Sequence, residues 1–239
     1  MLGAKLVRAY FDYVYNPIYD FTTARLNRYH RLQKECVDKF TFNNGHKILC
    51  IGLGTGNEVI HVFKKHQNAS IVGIDYSKTA LKKAYRKAII LNKQIEIFNM
   101  DARCLEFETG TFDEALCIHV MDFIAEKEKV IDEILRVLKD DGQFVVTYPS
   151  SHEGLMLGLN LFKDNIRQSN ISGKNPILAF FESIANILVG IIYLPLLFRP
   201  GRKAYSRTEL ETIISKLPMS YSEIFEDPVY QDFIVYGKK

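Results

Sequence analysis

Lys47-Ile48-Leu49-Cys50-Ile51-Gly52-Leu53-Gly54-Thr55-Gly56-Asn57-Glu58 decides how this chain folds. A short apolar run, the pattern of a strand buried on both faces, delivers the chain into three glycines at alternate positions. A helical pattern through Val59, Ile60 and Phe63 follows. Glycines permit a tight turn and let a ligand lie against bare backbone, and the helix N-terminus offers N–H donors. The next apolar run, Ser70–Ile74, ends at Asp75, 23 residues beyond Gly52. A carboxylate there can take both hydroxyls of a ribose. The spacing is G-x-G-x-G rather than the dinucleotide pattern G-x-G-x-x-G, and Glu58 follows where a small residue would be wanted, so a pyrophosphate would be repelled. With no G-K-[ST], a P-loop is excluded.

Outward from this stretch the alternation continues. Ser77 caps a helix over Ala80, Leu81, Ala84, Tyr85 and Ala88 that ends near Asn92. Ile95–Phe98 and Phe112–Ile118 read as strands three and four, and Val130, Ile131, Ile134, Leu135 and Leu138 as a helix. Asp141-Gly142 then turns into the strand Gln143–Thr147. Strands alternating with helices predict a doubly wound, mostly parallel α/β sheet. Ser206-Arg207-Thr208-Glu209 is a capping box that opens a helix over Leu210, Ile213, Ile214 and Leu217. Ser220–Phe225 and Phe233–Tyr236, joined through Asp227-Pro228, predict an antiparallel edge hairpin.

The first forty residues read as two helices. Leu2, Leu6, Tyr10 and Val14 share one face until Pro17 stops the run, and a second helix capped near Thr22/Thr23 passes Leu26, Tyr29, Leu32 and Cys36. Asn43-Asn44-Gly45 is a turn. Between strand five and the capping box, residues 150–205 have a helical pattern of their own, too long for a plain loop and so expected to be a lid or insertion.

Composition narrows the function classes. The 239 residues are 47% hydrophobic and 25% charged, which excludes disordered and fibrous classes. A net charge of +3 is too weak a balance to argue for nucleic acid. Four cysteines, Cys36, Cys50, Cys104 and Cys117, show no C-x-x-C pair and no clustering with His, so reduced structural thiols and no metal are expected. The start carries charges every few residues and has no unbroken apolar core, unlike a signal peptide. Trp is absent, yet there are 13 Tyr and 16 Phe.

ILCIGLGTGNE, the strand end VGID, NMDA at Asn99–Ala102, FDEALCIHVMDFI and EILRVLKDDGQFVVT resemble class I S-adenosylmethionine-dependent methyltransferases. The resemblance runs from about Lys47 to Thr147 and resumes at Ser206. It implies a Rossmann-like, seven-stranded, mostly parallel sheet with an antiparallel last strand, preceded by N-terminal helices and interrupted by a helical lid. On that resemblance S-adenosyl-L-methionine is the cofactor. Gly52, Gly54 and Gly56 would line its methionine and ribose part, and Asp75 would bind the ribose hydroxyls. Tyr76 would pack on the adenine, Asp101 would accept from its amino group and Ala102 would supply a backbone N–H. Ile118 and His119 would face the methionine end and the substrate. The family usually carries Asp or Glu two residues before the first of these glycines, where this chain has Cys50. Tyr19-Asp20 followed by His30-Arg31-Leu32-Gln33-Lys34 is also similar to the N-terminal region of the ubiquinone/menaquinone biosynthesis C-methyltransferases.

Each of these residues also has a plain structural reading: Asp75 and Asp101 as strand-end carboxylates, His119 as a satisfied core histidine, and Tyr10, Tyr13, Tyr15 and Tyr19 as packing. Lys78, Lys82, Lys83, Arg86 and Lys87 read as a solvated helix face. Ile177–Phe198 has the 22 residues of a bilayer span, but Glu182, Ser183 and Asn186 interrupt it, and a crossing would strand the last two strands on the far side. The segment is expected to be an apolar lid, with peripheral membrane contact through 177–203 and Arg199, Arg202 and Lys203 as the basic flank.

The expectation is one methyltransferase domain: 1–42 an N-terminal helical cap, 46–149 the cofactor-binding core, 150–205 the lid and 206–239 the closing helix and hairpin. The substrate is expected to be a small hydrophobic acceptor (quinol, isoprenoid or lipid-like), with His119 and Tyr19 as catalytic candidates and Asp122 and His152 behind them. Two readings stand beside it, a cofactor-binding scaffold without catalysis, and a methyltransferase on a phospholipid or other polar small molecule. Nucleic acid is not expected as partner, since N/D-P-P-Y is missing after strand four. The expected location is cytoplasmic, at most peripheral to a membrane.

Overall fold

The computed structural model describes residues 9–24, 27–41, 45–151, 157–197 and 203–239. Helix α1 (Phe11–Tyr15), wound with the wider π pitch, runs directly into α2 (Asn16–Thr23), and α3 (Asn27–Asp38) follows. Pro17 therefore does not stop the first helix. It is the second residue of α2, inside a continuous helical run. Nor does Thr23 cap the next helix, because it closes α2 and its hydroxyl donates to the Tyr19 carbonyl at 2.7 Å. Leu2, Leu6, Leu26 and the Asn43-Asn44 part of the turn lie outside the described residues.

The sheet is built from β1 (Lys47–Ile51), β2 (Ser70–Asp75), β3 (Glu96–Asn99), β4 (Phe112–Cys117), β5 (Leu138–Tyr148), β6 (Tyr221–Glu226) and β7 (Phe233–Lys238). The seven strands lie in the order β3-β2-β1-β4-β5-β7-β6. All neighbours pair in parallel except β7, which is antiparallel to both β5 and β6. The helices α4 (Asn57–Lys65), α5 (Lys78–Ile90), α6 (Lys127–Val137) and α9 (Arg207–Ile214) cover the two faces. On β1, Ile48 and Cys50 join one core with Leu32, Val59, Val62 and Leu81, whereas Leu49 and Ile51 join another with Val130, Ile134 and Leu210. Alternate side chains of one strand thus feed two hydrophobic cores, which is what a sheet covered on both faces demands.

The order reverses between β1 and β4, so the C-terminal ends of these two strands open the crevice where α/β folds bind ligands. Ser77 and Ser206 cap α5 and α9 as expected, the latter with the full reciprocal box to Glu209. One strand differs from expectation: β5 begins at Leu138 rather than Gln143. Phe112 pairs with Leu138 and Glu114 with Gln143, so residues 139–142 bulge out opposite Asp113. Asp141 takes a left-handed φ of 66° there, and Lys139 Nζ reaches Asp113 Oδ1 at 2.8 Å.

The insertion holds α7 (Leu157–Ile171) and α8 (Pro176–Leu197). Its two ends are pinned side by side: Ser150 bridges Tyr205, Ser151 N–H donates to the Tyr205 carbonyl at 2.7 Å and Tyr205 N–H to the Pro149 carbonyl at 3.0 Å. The hairpin is tied to α3 through Asn27 Nδ2, which donates to Asn165 Oδ1 at 2.7 Å, and Asn165 Nδ2 in turn donates to Ser183 Oγ at 3.0 Å and joins α7 to α8. Among the described residues no helix is long and apolar enough to cross a membrane.

Candidate functional site

The glycine turn after β1 is folded by Leu53 N–H on the Ile74 carbonyl at 2.8 Å and Gly56 N–H on the Leu53 carbonyl at 2.9 Å. Gly52 and Gly56 have φ of 66° and 77° and almost no room above them. A Cβ on Gly52 would lie 2.2 Å from Val120 Cγ2, and one on Gly56 3.0 Å from Ala84 Cβ. Backbone conformation and crowding both require glycine, and the turn presents bare main chain at the mouth of α4.

Asp75, at the end of β2, is locked onto this turn. Its Oδ2 accepts from Gly54 N–H at 2.8 Å and its Oδ1 from Ser77 N–H at 2.7 Å. Burial raises its carboxyl above the ordinary value, against those two N–H groups. Each oxygen keeps a second lone pair, so the fixed carboxylate can still accept from two neighbouring hydroxyls. Tyr76 is 54% exposed beside it. Ala102 is buried under the same edge. Asp101 has company that sequence reasoning missed: Arg103 forks onto both of its oxygens, at 3.0 Å from Nε and 2.7 Å from Nη2, and holds the carboxyl below its usual range. An adenine amino group at Asp101 would have to share it with Arg103.

Cys50 is fully buried at the position where the resemblance leads one to look for an acid, and burial followed by the Glu58 charge pushes its thiol up. Glu58, in the first turn of α4, is itself buried, and its carboxyl is raised to about 8, chiefly by desolvation.

The N-terminal helices lie over the turn. Asp12, Asn16 and Asp20 recur every fourth residue, and all three dock on cofactor-side elements. Asn16 Nδ2 donates to Ser77 Oγ at 3.0 Å, Thr79 Oγ1 to Asp12 Oδ1 at 2.7 Å, and Thr55 Oγ1 to Asp20 Oδ1 at 2.6 Å. Lys87 Nζ reaches Asp20 Oδ1 at 2.6 Å and Lys83 Nζ the Asn16 carbonyl. Lys83 and Lys87 are thus docking residues, not part of a solvated face; Lys78, Lys82 and Arg86 remain exposed. The four-residue spacing was visible in the sequence, but nothing there said what it faced.

Ile118 follows β4, and His119 stands next with a left-handed φ of 55° and its N–H on Thr147 Oγ1 at 2.7 Å. Its Nδ1 is 3.1 Å from Asp232 Oδ2, its ring stacks on Tyr29 at 6.0 Å and 15°, and Tyr230 flanks it at 5.3 Å. Burial lowers the His119 imidazole, but the hydrogen bond and charge of Asp232, then Asp122 and Glu58, outweigh it and raise it on balance. Nε2 has no protein partner, and neither has Oδ1 of the buried Asp122.

An aromatic wall runs from Phe123 against Phe11 at 4.9 Å, through Tyr15, to Tyr19 and on to Tyr29. The hydroxyls of Tyr19 and Tyr29 are hydrogen-bonded to each other. Desolvation raises Tyr15, Tyr19, Tyr29 and Tyr230 well above the ordinary phenol, so these rings stay neutral. Phe180 and Phe181, in the segment expected to form an apolar lid, are half to two-thirds exposed and pack on α7 through Phe162. Tyr29 of α3 and Tyr230 of the β6–β7 turn are the rings that lie against His119. His152 and Phe198 lie outside the described residues.

Residues 48–142 match a family described as a methyltransferase domain. Over 188 residues the chain is 28% identical to a carboxy-S-adenosyl-L-methionine synthase of Nautilia profundicola, covering 77% of each. It is 28% identical to a phosphatidylethanolamine N-methyltransferase of Cereibacter sphaeroides, over 54% of this chain and 62% of the relative. A demethylmenaquinone methyltransferase of Thermus thermophilus is 29% identical over 48% of this chain and 53% of its own length. The last two matches span less than two thirds of the relatives. Among solved structures, magnesium protoporphyrin IX methyltransferase of Synechocystis PCC 6803, with bound S-adenosylhomocysteine, has the same fold, with a TM-score of 0.63 over 98% of both chains at 14% identity. The bare glycine turn and the anchored Asp75 fit S-adenosylmethionine, whose ribose hydroxyls and cationic head suit an acidic crevice.

Proposed function

We propose that this class I S-adenosylmethionine-dependent methyltransferase delivers its methyl group to a small hydrophobic acceptor, a quinol, isoprenoid or lipid-like molecule. The observation that carries the reading is the neutral aromatic wall of Tyr15, Tyr19, Tyr29 and Tyr230 around His119, at the β4 end of the crevice. The cofactor, when bound, supplies an electrophilic methyl on a sulfonium.

The chain's own residues divide the remaining work. Gly52, Gly54, Gly56 and Asp75 hold the nucleoside end, with Tyr76, Asp101 and Ala102 at the base and Ile118 towards the methionine. The tyrosine faces exclude water and favour a cation in front of them. His119 meets the acceptor's reacting group, and Tyr19, neutral and hydrogen-bonded, shapes the wall instead of accepting a proton. Holding the acceptor in line with the methyl is the main catalytic demand.

An exposed apolar stripe on α8 supports an amphipathic acceptor. Ile177, Phe181, Ile184 and Ile191 recur on one helical face with 67%, 64%, 37% and 54% exposure, and Lys203 follows the helix. Such a face can rest on a membrane surface and receive its substrate there. The relative that acts on demethylmenaquinone is consistent with this class of acceptor, and the one that acts on phosphatidylethanolamine with the alternative, a phospholipid.

The test is methyl transfer from labelled S-adenosylmethionine to a prenylated hydroquinone, to phosphatidylethanolamine vesicles and to a water-soluble catechol. Label entering the organic phase with the prenylated hydroquinone is expected, and label on phosphatidylethanolamine alone would favour the phospholipid alternative instead. Label appearing only in the water-soluble product would overturn the hydrophobic assignment, and failure to bind S-adenosylhomocysteine would overturn the whole reading.

A further inference from the structure

Asp122 is 3% exposed, and its Oδ1 meets no hydrogen-bond partner among the described residues. A carboxylate taken out of water without a partner is costly, and one kept that way calls for a cationic ligand. Its place in the fold narrows the choice. β4 lies beside β1 with Cys117 paired to Ile51, so the loop after β4 starts level with Gly52. That loop is a tight turn, closed by Phe123 N–H on the Val120 carbonyl at 2.8 Å, and Val120 Cγ2 is the atom that leaves Gly52 no room for a Cβ. Asp122 lies in this turn, with one oxygen within 4.8 Å of a ring nitrogen of His119. The Cys117 thiol at the end of β4 is pushed up by burial and then by the Asp122 charge, which places that charge beside the strand end.

We infer that Asp122 binds the α-ammonium group on the methionine part of S-adenosylmethionine. The strands run β2-β1-β4 across the crevice. Asp75 stands at the β2 end, where it would take the ribose, so the amino-acid end of the cofactor falls on the β4 side of the glycine turn. Cys50 of β1 holds the position where the resemblance leads one to look for an acid, and a thiol that burial keeps protonated offers no charge. The negative charge missing from β1 is supplied by the loop of the neighbouring strand. Asp122 is thereby a cofactor-binding residue and not a general base. Sequence spacing could not show this, because it does not say that the turn at 120–123 closes over Gly52. The inference rests on S-adenosylmethionine as cofactor and is independent of the acceptor's class.

The full chain is titrated by calorimetry with S-adenosylhomocysteine and with the analogue that lacks only its α-amino group. Wild type is expected to prefer S-adenosylhomocysteine by at least about tenfold, the scale of a hydrogen bond to a charged group. Asp122→Asn is expected to lose that preference, with S-adenosylhomocysteine binding more weakly and the analogue binding no worse. If that variant does not fold, wild-type crystals grown with S-adenosylhomocysteine decide, and the ammonium nitrogen is expected within about 3.2 Å of an Asp122 oxygen. Equal affinity of wild type for the two ligands, a preference kept in the folded variant, or an ammonium held elsewhere in the crystal overturns the assignment. A variant that loses affinity for the acceptor but not for S-adenosylhomocysteine overturns it too and gives Asp122 to the acceptor. In each of these cases wild type still binds S-adenosylhomocysteine and the methyltransferase reading stands, whereas wild type that does not bind it removes both.

Discussion

Asp232, at the entrance to β7, holds Nδ1 of His119, just past the end of β4, across 3.1 Å. The strand that runs against the rest of the sheet thereby sets the orientation of the His119 ring, and Thr147 of β5 fixes the same residue's backbone from between them.

That pair is separate from the glycine turn. Asp232→Asn is expected to lower kcat by about 10–100-fold, as loss of an orienting partner does. The dissociation constant for S-adenosylhomocysteine, measured by calorimetry, is expected to stay near wild type. A matching loss in both quantities would show that the pair supports the cofactor instead.

Asp75→Ala removes a carboxylate that fixes Gly54 and Ser77 and would meet the ribose. Hydrogen bonds to a charged group are worth about 1.5–3 kcal/mol each, so S-adenosylhomocysteine is expected to bind at least about 10-fold more weakly. Affinity unchanged by the substitution would remove Asp75 from the cofactor site.

Gly52→Ala places a methyl 2.2 Å from Val120 Cγ2 at a φ of 66°. Backbone strain and overpacking each cost about 1–3 kcal/mol, read by denaturant unfolding. Adding Val120→Ala is expected to recover only part of the loss, since it relieves the clash and leaves the left-handed backbone. Full recovery would mean that crowding alone demands glycine there.

Glu58 gives stability a definite slope with pH. Its carboxyl ionises near 4.5 when unfolded and near about 8 when buried, so the folded chain holds the extra proton between these values. The contribution is complete below 4.5 and is lost as pH rises through about 8. Subtracting the unfolding profile of Glu58→Gln from that of wild type is expected to isolate this decline. A flat difference would place Glu58 in water.

Arg28, buried in α3, pairs with Asp227, and Asp227 Oδ1 takes Val229 N–H at 2.9 Å and Tyr230 N–H at 2.7 Å. Removing one partner of a buried pair costs about 3–5 kcal/mol, and Arg28→Ala is expected to fall in that range by chemical denaturation. A loss below about 1 kcal/mol would show that water reaches Asp227.

The strand–glycine–helix passage at 47–58, Asp75 at the end of the next strand, the capping serines and the closing hairpin were all legible, because each rests on a local pattern of period, turn chemistry or spacing. The readings that failed locally did so where neighbours intervened. Pro17 was absorbed into a continuous helical run, β5 started early because Leu138 could pair with Phe112, and Lys83 and Lys87 left the solvent because Asn16 and Asp20 met them.

Sequence by itself determined the sheet's class and the glycine turn, since glycine spacing and apolar alternation act within a few residues. Only the tertiary structure decided what surrounds His119. Asp232, Tyr230 and Tyr29 reach His119 from β7, the hairpin turn and α3, and such contacts arise from strand order and helix docking, which no local pattern encodes.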